Sequence, residues 1–323
     1  MKPRTRYSMK LETPLVAPVL LVAILFFMLG CAGQSASAAG KVDSQATFAT
    51  PAEAGVALQA AAQADDEGAL TRILGPQSKA ILSSGDAAED NAARRSFVNK
   101  YDQMHRWVTM TDGSEVLYIG ADNYPFPIPL ILDTSSKWYF NTTAGEDEIL
   151  ARRIGKNELL AIDAISAMGN AQDLYFHGPH DGKPAGQYAQ KILSSPGNQD
   201  GLYWKVSAGQ PSSPLGRLND FAKDVIVSTP LGAPPIFDGY FFRILTAQGD
   251  QAKGGAMSYI VDGKMTGGFA ILATPVIYGD SGVMTFILGP EGIVYQKDLG
   301  ENTAETAASV RRFNPGEGWS PVE

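Results

Sequence analysis

The chemistry available to this chain rests on few side chains, because its 323 residues hold only three histidines and one cysteine. His177 and His180, in His177-Gly178-Pro179-His180, are spaced so that two imidazoles can begin a metal site. Asp181 is the only further candidate ligand beside them, and Pro179 restricts the loop. A solvated loop is expected there, and no metal site is assigned. His105 follows a helical stretch and has two possible uses. Facing a pocket, its ordinary pKa would suit a general base. At a helix end, its cation would interact well with the dipole, which is the preferred reading. Asp122 and Tyr124 precede a proline-rich run and could rim a pocket, although a turn carboxylate is the commoner use. His105, Asp122 and Tyr124 are therefore the candidate ligand-binding residues, and none is assigned as catalytic.

The remaining motifs read as structure. Gly279-Asp280-Ser281-Gly282 is superficially similar to the segment around the nucleophile of chymotrypsin-like proteases. No matching His and Asp segments accompany it, so it reads as a turn between strands. No serine lies in a G-x-S-x-G elbow, and "RILGPQSKA" lacks the G-K-[ST] ending of a phosphate loop. Tyr203, Trp204, Tyr240, Phe241 and Phe242 could form a binding surface, but strand alternation should bury about half of them. Asn141-Thr142-Thr143 matches a glycosylation sequon. No cofactor is called for.

These residues need elements to position them. Thr50, Pro51 and Glu53 predict a capped helix start, with Val56, Leu58 and alanines on the apolar side. A second helix is expected at 67–74, stopped by Gly75-Pro76, and a third from about 87 to 104 with Phe97, Tyr101 and Met104 on one face. Two strand-like runs flank Asp112-Gly113, a hairpin signal. In "PFPIPLIL" the prolines at 125, 127 and 129 predict an edge or bulged strand. Residues 137–140 read as another strand. Three helices followed by a curved antiparallel sheet resemble the cone-shaped fold of the nuclear transport factor and ketosteroid isomerase superfamily.

A second domain is expected from 146. A short helix at 146–154 should break at Gly155, and a long helix should follow at 157–175 with Leu160, Ala164, Met168 and Ala171 on one side. Residues 188–193 read as one or two helical turns, and 194–238 as an irregular excursion. "GYFFRIL", "MSYIVDGKMTGGFAILATP" and "GVMTFILGPEGIVYQ" are strand-rich, with turns at Asp262-Gly263 and Pro290-Glu291-Gly292. A helix at 303–313 closes the chain. One long helix on an antiparallel meander resembles the headpiece of type IV pilins, although here a whole domain separates it from the apolar leader. The fold class is thus α+β, with a cone of helices and curved sheet at 47–145 and a helix-plus-meander domain at 146–323.

The chain's composition limits its partners. The formal charge is -8. Residues 1–31 hold Lys2, Arg4, Arg6 and Lys10 against Glu12, leaving 22 basic and 33 acidic residues beyond them. A body at -11 is repelled by nucleic acid. At 44% apolar residues, it can bury a real core.

The basic start and the apolar run from Leu15 to Leu29 form a signal-peptide pattern. Met28-Leu29-Gly30-Cys31 resembles a bacterial lipobox, which would make Cys31 the lipidated first residue of the mature protein. Ala36-Ser37-Ala38 offers an ordinary cleavage site instead, and an uncleaved anchor is the third possibility. The cysteine's place at the end of the run favours lipidation. The expected organisation is a signal peptide at 1–31, a flexible tether at 32–46, and a body outside the cytoplasm without disulfides.

From about Phe48 to Phe313 the sequence resembles a bacterial family of exported proteins, the domain of unknown function 2950. The resemblance is carried in order by "ILSSGD", "YPFPIPLIL", "RRIGKNELLAI", "SSPGNQDGLYW", "GYFFRILTAQG", "GGFAILATP", "YGDSGVMTF" and "VYQKDLG". It implies the fold outline and an exported location, and it brings no activity, cofactor or catalytic residue. The expectation is a lipid-anchored envelope protein that binds or scaffolds, its partner an envelope protein or small ligand, held at the membrane by its anchor and binding no nucleic acid. An enzyme using the cone pocket and a pilus- or secretion-associated component are the alternatives.

Overall fold

The computed structural model describes residues 45–82, 87–206, 212–218 and 235–322, and Asp43–Glu323 form one compact unit. The leader, Cys31 and residues 32–44 lie outside the described residues. Gln45 and Ala46, read as the end of the tether, are already held in the fold. The Gln45 amide donates to the carbonyls of Ile73 and Phe140, and the Ala46 N–H to that of Arg72.

The first helix, α1 (Pro51–Gln63), starts where its capping signal predicts. The Thr50 hydroxyl accepts from the Glu53 N–H, while the Glu53 carboxylate accepts from Ala49, one residue before the cap itself. Asp66 caps α2 (Glu67–Leu74), accepting from the Ala69 N–H at 2.8 Å. Gly75 ends α2 with a φ of 91°, a conformation a side chain would strain. A 3-10 turn (Pro76–Ser78), α3 (Lys79–Leu82) and α4 (Ala87–Gln103) follow.

Five short strands then form an antiparallel sheet: β1 (His105–Thr109), β2 (Glu115–Ile119), β3 (Tyr124–Pro125), β4 (Leu130–Leu132) and β5 (Trp138–Phe140). Its order is β1-β2-β4-β5, with β3 also paired to β2. The alternating prolines have the expected effect. Residues 126–129 leave the ladder between β3 and β4, since a proline has no N–H to give it. Ile128 is nevertheless fully buried, and Gly145 packs on it. Leu58, Leu70, Leu74, Ile128, Leu130 and Phe140 belong to the core of this half.

One helix, α5 (Thr142–His177), joins the two halves across 36 residues. The expected break at Gly155 does not occur. Glycine costs a helix interior only about 1 kcal/mol, and anchors on both sides outweigh that. Arg152 donates to the Pro125 carbonyl at 2.7 Å, Arg153 pairs with Asp280, and Asn157 donates to the Ser281 carbonyl at 2.9 Å. Glu158 accepts from the N–H groups of both Val283 and Met284 at 2.9 Å.

The second half follows, beginning with α6 (Pro214–Leu218), β6 (Ile236–Phe237), β7 (Tyr240–Leu245), β8 (Ala247–Gln248) and β9 (Met257–Ser258). It continues through β10 (Ile260–Val261), β11 (Lys264–Met265), β12 (Ala270–Pro275), β13 (Met284–Leu288), β14 (Val294–Asp298), α7 (Thr303–Ser309) and β15 (Ser320–Pro321). The main sheet is an antiparallel arrangement ordered β15-β14-β13-β12-β7-β6. Ala161, Ala164, Ile165, Met168 and Ala171 of α5 are buried in its core, with Gly169 close against Leu288. Leu288, Ile271 and Ile244 stand in register on that face, so Arg243 points to the other. There it donates to the carbonyls of Ala307 and Val310, and α7 ends short of the expected Phe313.

Residues 188–193 are not helical. Their backbone is claimed elsewhere: Tyr188 donates to the Met265 carbonyl, and Ala189 exchanges two hydrogen bonds with the buried Gln172 side chain. The described residues thus combine helices with antiparallel sheets in an α+β fold. Among them, no helix is long and apolar enough to cross a membrane.

Candidate functional site

Between α1, α2, α3, α4 and the β3–β4 connection lies a cavity of about 180 Å³. Leu58 and Ala62 enter it from α1, Leu70 and Leu74 from α2, Phe97 from α4, and Ile128 from the proline-rich crossing. Each pair lies at helical spacing, which is why both members face inward. Ile149 of α5 adds one further wall. The lining is apolar apart from Asp90 and Arg94, both on α4.

Those two residues set the electrostatics of the cavity. The Arg94 side chain is only 11% exposed and lies against the Asp65 carboxylate, as an ion pair by proximity rather than an aligned hydrogen bond. Its Nη1 is 3.9 Å from the Glu67 carboxylate and donates to the Leu82 carbonyl at 3.4 Å. Sequence reasoning missed this site. The available signal was a helical stripe, because Asp90 and Arg94 share the phase of Phe97 and Tyr101, placing charge on an inward face.

None of the three candidate ligand-binding residues lines the cavity. They gather instead at one end of the five-stranded sheet, where His105 and Tyr124 both pair in register with Ile119. His105 is exposed, stacks on the Tyr101 ring at 4.0 Å, and places Nδ1 3.0 Å from the Tyr101 carbonyl near the end of α4. Burial, helped by the charge of Asp102, raises the pKa of the Tyr101 phenol. Asp122 is also exposed and accepts from Lys100 at 2.7 Å. That bond holds its carboxyl below the ordinary carboxylate range. The Tyr124 ring lies between two cations, Lys100 at 5.0 Å and Arg152 at 4.9 Å. The pairing of these groups makes a cohesive surface knot, and a base acting in the cavity cannot come from His105 or Asp122.

The other motifs fall apart as chemistry. His177 Nδ1 meets the Asp173 carbonyl, whereas His180 stacks on Tyr175 and meets the Tyr175 carbonyl. Among the described residues, no three His, Cys, Asp or Glu side chains are grouped to hold a metal. Ser281 spends its hydroxyl inside its own turn, on Ile277. Trp204, Tyr240 and Phe242 are buried, Tyr203 and Phe241 partly so. The Asn141 side chain caps α5.

The fold and its cavity describe an α+β protein with an apolar cavity between the helices of its amino-terminal half. The chain belongs to the family described as "Protein of unknown function (DUF2950)", whose model matches residues 45–322. Comparison with curated proteins and with solved structures gave no match.

Proposed function

We propose that this is an exported, lipid-anchored protein of the cell envelope that works by binding, with the α1–α4 cavity as its binding site. The observation that carries the binding role is the cavity itself. A half-open apolar cavity of about 180 Å³ offers hydrocarbon walls that a ligand's apolar surface would cover, with polar groups at one side to orient it. The basic and apolar leader with Cys31 at its end supports export and acylation. The acidic body supports a partner other than nucleic acid, either a small ligand or another envelope protein.

Two finer readings of architecture belong with this proposal. Packing of α1 and α2 on β5 and of α4 on β1 and β2 supports a cone like that of the nuclear transport factor superfamily for 47–145. Packing of α5 on the β12–β13 face supports a pilin-headpiece-like arrangement for 146–323. The second likeness keeps a pilus- or secretion-associated role as the alternative reading. Against direct pilus assembly, α5 is entered from β5 and capped by Asn141, and the apolar leader does not run into it.

Intact mass of the protein extracted from its native membrane tests the export reading. The expected species begins at Cys31 and carries acyl chains. Recovery from the cytosol with Met1 and the leader intact overturns it, and a species starting after Ala38 overturns the lipid anchor alone.

A further inference from the structure

We infer that the outer edge of β1 is a self-pairing interface, through which two copies of this chain join their five-stranded sheets antiparallel about Trp107. The interface stands apart from the cavity and does not depend on it.

The free edge follows from the phase of the ladder. The Met110 N–H donates to the Ser114 carbonyl at 2.8 Å, and the Met104 carbonyl accepts from the Gly120 N–H at 2.9 Å. With the register of β1 on β2, these two bonds turn the backbone groups of Arg106 and Val108 toward β2. Those of His105, Trp107 and Thr109 therefore point outward. Among the described residues, none of these outward N–H and carbonyl groups meets a backbone partner. His105, Arg106 and Thr109 are exposed. Other sheet edges are managed. At β5, Phe48 exchanges two hydrogen bonds with Trp138, and in the main sheet the outer strands β6 and β15 are only two residues long. β1 has five residues, no proline, and tryptophan, valine and threonine in sequence, which is the kind of edge that accepts another strand.

A second copy fits this edge because the edge complements itself. With a two-fold axis at Trp107, His105 faces the partner's Thr109, Arg106 faces the partner's Val108, and Trp107 faces its own counterpart. Each chain then gives its three outward N–H groups to three outward carbonyls of the other, so six bonds form and no outward group is left over. The charges agree with that register. Arg106 is drawn back over its own sheet, its guanidinium 4.5 Å from the centre of the Tyr118 ring and its Nε donating to Asn123 at 3.1 Å. Across the interface it meets valine rather than a second cation. An axis at Arg106 would instead set the two arginines directly opposite, which is unfavourable, and leave Thr109 without a partner. An axis at Val108 would leave out His105. The Trp107 indole is already placed on the helix side, against Gly55 of α1, and need not move.

The experiment uses the full chain in a non-ionic detergent, followed by sedimentation equilibrium and residue-resolved hydrogen exchange. A five-residue edge is a small interface, so a monomer–dimer equilibrium with a Kd of about 10 μM to 1 mM is expected. As the dimer forms, the N–H groups of His105, Trp107 and Thr109 should become protected, while those of Arg106 and Val108 are protected throughout. Thr109→Pro removes an outward N–H that β2 does not use and should weaken the dimer about tenfold. Val108→Lys sets a cation against the partner's Arg106 and should also weaken it about tenfold at low salt. Most of that loss should be recovered in about 1 M salt, where the Debye length is about 3 Å. Val108→Lys carries the test if Thr109→Pro fails to fold.

A monomer at every concentration up to about 1 mM overturns the inference. A dimer that tolerates the substitutions, or that leaves the three amides unprotected, uses another surface and overturns it too. Protection of the three amides in the monomer would mean that the chain covers its own edge. Protection by a copurifying protein in place of a second copy would mean that a foreign strand occupies it. Self-pairing falls in either case.

Discussion

In the amino-terminal half, Leu58, Leu70 and Leu74 border an apolar cavity of about 180 Å³. In the carboxy-terminal half, Leu288 lies so close to Gly169 that an added methyl would sit 3.2 Å from its Cδ2. The close fit recurs there: side chains at Gly282 and Gly289 would collide with Tyr240 and Phe313. Both halves use leucine, alanine and aromatic residues, and both are capped and hydrogen-bonded. What differs is that an apolar cavity borders the first core, where no such cavity is described in the second. One long helix covers the sheet of the second half, whereas four helices of 4–17 residues cover the proline-interrupted sheet of the first and leave an apolar cavity between them.

Equivalent truncations should separate the two most strongly. Leu288→Ala leaves a hole that rigid neighbours cannot fill, and about 4 kcal/mol of stability should be lost. Leu58→Ala only widens a space whose lining already lacks partners on one side, and about 2 kcal/mol is expected. Urea unfolding of both variants measures the difference. Equal losses would mean that the cavity is filled by packing in solution and that the contrast is not real.

Enlargement should reverse the ranking. Ala273 is fully buried and stands in register between Phe242 and Phe286, so Ala273→Val overpacks and should cost about 1–3 kcal/mol. Ala62→Val adds its methyl groups beside the cavity and should be neutral or slightly stabilising. A similar penalty at both sites, read by thermal unfolding, would close the void as a physical feature.

The two halves also treat a paired aspartate differently. Burial raises the Asp200 pKa, but hydrogen bonds from Lys191 and from the Ser195 N–H and hydroxyl outweigh it and leave the carboxyl below the ordinary range. A carboxyl lowered by folding contributes stability above its unfolded pKa of about 3.9 and loses it as pH falls through the folded value. Asp200→Asn should therefore cost about 1 kcal/mol at neutral pH, and the gap from wild type should close as pH drops below about 4. Asp122 is also lowered, by Lys100, but in full contact with solvent, and Asp122→Asn should leave the melting temperature unmoved. A pH-independent Asp200→Asn deficit would show that shape, not charge, holds the 195–200 loop.

Much of this contrast was legible in the sequence, and the part that was not has a physical cause. Thr50-Pro51 with Glu53, the Gly75-Pro76 stop and the Asp112-Gly113 turn mark element boundaries because each satisfies backbone groups within a few residues. Residues 188–193 were misread as helical because their partners, Gln172 and Met265, lie far away in sequence. The cavity was hidden for the same reason, since it belongs to the space between helices rather than to any one of them. Only Asp90 and Arg94, on the stripe of Phe97 and Tyr101, hinted at it. His105, Asp122 and Tyr124 were drawn together as expected, yet at the sheet's end, outside that space.

The smallest expected effect tests the element that both halves share. Gly155 suggested a helix break because glycine is a poor helix former, a local cost of about 1 kcal/mol. In α5 a methyl at Gly155 would meet nothing within 4 Å, so Gly155→Ala should raise stability by about 0.5–1 kcal/mol. At Gly169 the same change gains the same propensity but presses on Leu288, which is 2% exposed and has little room to yield. Gly169→Ala should therefore gain less than Gly155→Ala, or lose stability outright. Chemical denaturation of the two variants under one condition decides it. If Gly155→Ala is the destabilising one, α5 bends at Gly155 in solution, and the cavity wall at Ile149 is no longer rigidly tied to the β12–β13 turn held by Asn157 and Glu158.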